Sequence, residues 1–148
     1  MIPTLIGRWQ TRIWLMNTIG LLITFGFAYI VGDFMAPFLI LTYVTSFGIV
    51  WDIIYDWLQS KRWDRDWPPM FFVISGIVEA GWVWGLIQAD MLWDWAGLTS
   101  LAAILQNVTL PNFIAHYSVV WLVTFLIMLG PIKILSLKWR FQGGQWLG

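Results

Sequence analysis

IWLMNTIGLLITFGFAYIVG, Ile13 to Gly32, is a run of twenty residues without a charge, held between Arg12 and Asp33. A helix rises about 1.5 Å per residue and a bilayer core is about 30 Å thick, so one crossing takes roughly this length of apolar chain. Similar runs follow. Phe34 to Trp51 meets Asp52 and stays apolar through Ile53, Ile54, Tyr55 and Trp57, with Pro37 suited to a first helical turn. Trp67 to Asp90 is interrupted only by Glu79, and Asn112 to Ile132 follows Pro111. The reading is an all-α integral membrane protein, a single transmembrane domain with spans at about residues 13–32, 35–57, 68–89 and 112–133.

Composition agrees. Of 148 residues 59% are hydrophobic and 11% charged, where a soluble domain carries about 25% charged residues. Mean hydropathy is +0.74. This excludes a soluble enzyme domain, a disordered chain and a nucleic-acid binder. Eight basic and eight acidic residues cancel, so no overall field attracts polyanions. Without Cys there is no disulfide and no thiolate nucleophile, and one His cannot make a multi-His metal site.

The positions of the charges orient the chain, because basic residues in short loops stay on the cytoplasmic side. Arg8 and Arg12 precede the first span, Lys61, Arg62 and Arg65 lie between the second and third, and Lys133, Lys138 and Arg140 follow the fourth. The opposite loops hold Asp33, Asp90 and Asp94. Both termini are therefore expected in the cytoplasm. Residues 96–106 are apolar but too short to cross, and a crossing there would put the last three basic residues outside. They read as an interfacial or re-entrant helix before the fourth span. Asn107-Val108-Thr109 matches a glycosylation acceptor but sits too close to that span. The first run is too long for a cleaved signal and lacks a small-x-small site, so it reads as a retained span.

Trp rings favour the headgroup level. Trp9, Trp14, Trp57, Trp63, Trp67, Trp139 and Trp146 fall at the inner side and Trp93 and Trp95 at the outer, an anchoring belt; Trp51, Trp82, Trp84 and Trp121 lie deeper. The inner loop carrying Arg62, Trp63, Asp64, Arg65, Asp66 and Trp67 reads as a connector, or as a docking epitope for a cytoplasmic partner.

Glu79 is the polar residue to explain. Ten residues past Pro69, it lies about 15 Å into its helix, where a carboxylate must be neutral, paired or hydrated. No Lys or Arg is expected at that depth. Counted from the ends of the other runs, Thr24, Thr45 and Thr124 fall in the same layer, Asn17 shares a face with Thr24, and Ser75 shares one with Glu79. Gly20, Gly76 with Ala80, and Gly81 with Gly85 mark surfaces for close helix approach. His116 lies about 9 Å shallower than Glu79, too far for a direct pair; it suits a bond to a neighbouring helix, a proton relay, or axial ligation of a haem or chlorophyll. Asp52 and Asp56 share a face and should pair with nearby basic residues.

No nucleophile set, metal cluster or nucleotide loop is present. The first expectation is a non-enzymatic accessory, assembly or scaffold subunit of a membrane complex, or a homo-oligomer, its partners being the lipid bilayer and other membrane subunits or itself. The alternative is a proton- or cation-coupled transporter or channel using Glu79, with His116 and Asp52 to either side.

Overall fold

A computed structural model describes residues 3–89, 103–105 and 107–146, and its elements are helices. Four stretches are long and apolar enough to cross a membrane. These are α1, Leu5–Val31; α2, Met35–Ser60; α3, Pro69–Ala89; and a fourth, Leu110–Leu135, made of α4, Leu110–Leu129, and the short α5, Pro131–Leu135. A last short helix, α6, covers Leu137–Phe141.

The first helix starts eight residues before the expected Ile13, and this shift reorganises the site. Thr4 is its cap: in extended conformation, its Oγ1 accepts from the Gly7 amide at 3.1 Å, which satisfies one of the open donors of the first turn. Arg8 and Arg12 are thereby part of the helix instead of preceding the span. Over Met16–Gly20 α1 widens into a π-helical turn. Its extra residue rotates everything beyond it by about 100° relative to a continuous α-helix. Asn17 consequently points outward, its amide donating to the Ile13 carbonyl at 2.8 Å, whereas Thr24 is fully buried. The face expected to hold both does not exist.

The turns follow from local chemistry. Gly32 ends α1 at φ 78°, a left-handed conformation that glycine adopts without penalty. Asp33 Oδ1 then accepts from the amides of Met35 and Ala36 at 2.9 and 3.3 Å and starts α2. Pro111 occupies the first turn of α4, and Pro131, which has no amide hydrogen, follows the break at Gly130.

α1 packs on α2 and α4, and α3 packs on the same two, so α1 and α3 stand at opposite corners of an up-and-down bundle. Between them lie Ile40, Leu41, Tyr43 and Val44 of α2, Val83 and Ile87 of α3, and Phe113, Tyr117 and Val120 of α4. Gly76 is a true close approach: Tyr117 Oη donates to its carbonyl at 2.7 Å, and a Cβ there would strike the Trp121 indole. By contrast, no described residue comes within 4 Å of where a Cβ on Gly81 or Gly85 would lie. The expected helix at 96–106 falls largely outside the described residues; 103–105 are helical, and Leu105 is buried in the core.

Both chain ends meet at one end of the bundle, hereafter the terminal end. The Thr4 amide donates to the Gly143 carbonyl at 2.9 Å, Thr11 Oγ1 donates to the Gly144 carbonyl at 3.1 Å, and Trp139 Nε1 donates to Thr11 Oγ1 at 2.8 Å. Gly7 permits this closure, since a Cβ on it would collide with the Gly143 backbone. Trp139 is accordingly buried inside the protein, and so is Trp67, packed on Tyr55, Phe71 and Phe72. Neither belongs to a lipid-facing belt, whereas Trp14, Trp57 and Trp63 are exposed. Trp93 and Trp95 lie outside the described residues.

Candidate functional site

Three helices each bring one charge to a common point. Arg12 lies seven residues from the start of α1, Asp52 eight from the end of α2 and Glu79 ten from the start of α3, which puts them about 10, 12 and 15 Å from the terminal end. Arg12 Nε and Nη2 donate to Asp52 Oδ2 and Oδ1, both at 2.9 Å. Its Nη1 and Nη2 also donate to Glu79 Oε2 and Oε1, at 3.0 and 3.2 Å. The planar five-donor guanidinium is the one side chain able to hold two carboxylates in this way. Side-chain exposure is 16% for Arg12, 5% for Asp52 and 7% for Glu79. The expectation that no basic residue reaches Glu79 is thus corrected: the early start of α1 carries Arg12 to its depth.

Gly48, one turn before Asp52 on α2, makes room for this arginine. A Cβ on Gly48 would overlap the guanidinium. Arg8, one turn nearer the terminal end, donates from Nη2 to Gln59 Oε1 at 2.6 Å, lies 4.6 Å over the Trp67 ring, and interacts electrostatically with Asp52 and Asp56. The cluster thus gathers three carboxylates and two guanidiniums.

The expected polar layer around Glu79 forms only in part: Ser75 and Thr124 line one cavity with Glu79, whereas Thr24 and Thr45 are bonded elsewhere. Thr24 meets His116 instead, Oγ1 to Nε2 at 2.9 Å, because both sit about 10 Å from the end of the bundle opposite the termini. Thr45 Oγ1 donates within its own helix to the Leu41 carbonyl, and Thr124 Oγ1 donates likewise to those of Val120 and Trp121. Ser75 does share the buried face of α3 with Glu79, and its hydroxyl donates to the Phe72 carbonyl. His116 is buried, 5.1 Å from the Phe27 ring, and its Nδ1 has no hydrogen-bond partner among the described residues.

Two cavities adjoin the charges. One of about 120 Å³ runs from Glu79, Arg12, Asp52, Ser75 and Thr124 past Arg8 and Thr11 to Pro3, Gly143 and Gly144 at the terminal end. The other, about 30 Å³, lies between Arg12 and Glu79 on one side and His116 and Tyr117 on the other. Arg12 and Glu79 line both.

The inner loop is more ordered by its own contacts than a free epitope would be. Arg62 Nε and Nη2 donate to Asp64 Oδ1 and Oδ2 at 3.0 and 2.9 Å, and these bonds hold the Asp64 carboxyl below the usual carboxylate range. The Arg65 carbonyl, at a residue with φ 51°, accepts from Gln59 Nε2 at 2.8 Å. With Trp67 buried, Trp63 is the aromatic side chain this loop presents, 94% exposed.

No group of three His, Cys, Asp or Glu residues able to hold a metal occurs among the described residues. Compared with known families, known proteins and solved structures, the chain shows no significant similarity to any of them. Arg12, Arg8, Gly48 and Gln59 are functional candidates that charge-free runs alone do not reveal. Pro3-Thr4 ahead of Leu5 is the signal that does, a cap placed nine residues upstream of the start of the run at Ile13.

Proposed function

We propose that this protein carries protons across a membrane, with Glu79 as the group that accepts and releases them. The observation that supports the reading is the position of the Glu79–Arg12 pair as the shared wall of two internal cavities, one reaching the terminal end and one reaching His116. Three carboxylates facing two guanidiniums leave one negative charge unmatched, and a proton taken from the larger cavity neutralises it. Glu79 then loosens its hold on Arg12, which keeps its two-point bond to Asp52. The smaller cavity has room for about two waters at 10–15 Å³ each, enough to hand a proton toward Nδ1 of His116 and too little for a hydrated metal cation. Placement of the terminal end in the cytoplasm is part of the proposal, supported by all eight basic residues falling on the side of the chain ends and the 61–65 loop.

Reconstitution into liposomes with an internal pH-sensitive dye tests this. Wild type should dissipate an imposed pH gradient, and Glu79→Gln should lose that activity while keeping its helix content and elution profile. Flux unchanged in Glu79→Gln, or a wild type no leakier than empty liposomes, removes the reading.

A second reading, an accessory or scaffold subunit or a homo-oligomer, is favoured by one observation: the space that the described residues leave over Gly81 and Gly85 beside the half-exposed Trp82, where another helix can come close. Cysteine crosslinking from Gly85 in native membranes would capture such a partner.

A further inference from the structure

At the terminal end a third pocket, of about 90 Å³, opens between the beginning of α3 and the break that follows α4. Phe72, Met128 and Leu129 form an apolar wall, and Trp67 and Lys133 bring polar groups to it. Trp67 is 8% exposed, yet its Nε1 has no hydrogen-bond partner among the described residues. A buried donor left in this state is costly, and a buried indole N–H normally finds an acceptor. Lys133 is half-buried and makes no ion pair or hydrogen bond among the described residues. Asp66, which also lines the pocket, already has an interaction within the protein. Two residues whose donors have no partner among the described residues, one of them cationic, therefore line a space bounded on its other side by apolar side chains.

Depth identifies the occupant. Trp67 lies two residues before α3 and Lys133 four residues after α4, both where helices leave the apolar layer and lipid headgroups begin. We propose that the pocket seats the phosphate of a glycerophospholipid from the leaflet on the terminal side, with one acyl chain along Phe72, Met128 and Leu129. Phosphate oxygens accept charge-assisted bonds from Lys133 and a neutral one from Trp67. A soluble phosphate would satisfy the donors but leave the apolar wall without an occupant.

Native mass spectrometry of the full chain released from nanodiscs containing phosphatidylglycerol and phosphatidylcholine tests the site. Wild type should retain phosphatidylglycerol. Trp67→Phe keeps the ring stacked under Arg8 and removes the N–H, and Lys133→Gln, at the surface, removes the charge without touching the core; each should lower retention about tenfold. Retention equal to wild type in both variants, or no lipid on wild type, overturns the proposal. So does displacement of the lipid by inorganic phosphate, which would assign the pocket to a soluble anion.

Discussion

Arg12 donates four hydrogen bonds to two carboxylates on two other helices, and the three groups do not tolerate loss equally. Arg12→Ala leaves Asp52 and Glu79 buried and facing each other, which should cost about 3–5 kcal/mol in a detergent unfolding titration. Glu79→Gln leaves a matched Arg12–Asp52 pair and an amide oxygen that still accepts, so its loss should stay within about 1 kcal/mol. If the two variants unfold alike, the triad is not organised around the arginine. Such an asymmetry is what the proposed role of Glu79 requires, a charge that can be removed without unfolding the bundle. Sequence alone placed Glu79 near the membrane centre but left it unpaired, because Arg12 borders a charge-free run and so reads as its edge. A charge at the margin of an apolar run and a charge about two turns inside a helix look the same until the cap at Thr4 is counted.

At the scale of the element, α1 joins two stations that a regular helix would not align. Leu5–Leu15 presents Arg12 to α2 and α3, and Leu21–Val31 presents Thr24 to His116 on α4; the π-helical turn over Met16–Gly20 supplies the rotation between them. Deleting Thr18 should restore continuous α geometry and turn one half by about 100° against the other. Either the Arg12 pairs or the Thr24–His116 bond must then break, seen as a loss of stability comparable to Arg12→Ala. A deletion variant as stable as wild type would mean that the wide turn carries no constraint. Regular spacing predicted Asn17 and Thr24 on one face; the turn defeats that arithmetic, since a single inserted residue is invisible to a count of seven.

For the whole molecule, the bonds between Thr4, Thr11 and the Gly143–Gly144 carbonyls tie the first and last described segments together at one end of the bundle. The chain has no cysteine, so single-cysteine variants at Trp63 and at Gln145 report sidedness without background. Both should react with a membrane-impermeant maleimide in inverted vesicles and not in intact cells. Labelling of either one in intact cells would overturn the cytoplasmic placement of the terminal end. Removal of residues 137–148 should destabilise the bundle, because the buried site of Trp139 is left empty and Thr11 loses both the Trp139 indole and the carbonyl of Gly144. The same cut opens the larger cavity, whose wall includes Trp139, Gly143 and Gly144. A truncated protein as stable as the full chain would show that the ends are only laid together.

Hydropathy picked out, among the described residues, the four stretches long and apolar enough to cross a membrane and the costly carboxylate within one of them, because transfer energy sums along the chain and needs no knowledge of neighbours. It could not tell which helix supplies the partner of that carboxylate. Ion pairing depends on the relative height and rotation of helices, and here these rest on a cap at Thr4, a wide turn at Met16–Gly20 and the absence of a side chain at Gly48. Only the packed bundle converts those local features into a distance of 3.0 Å between Arg12 and Glu79.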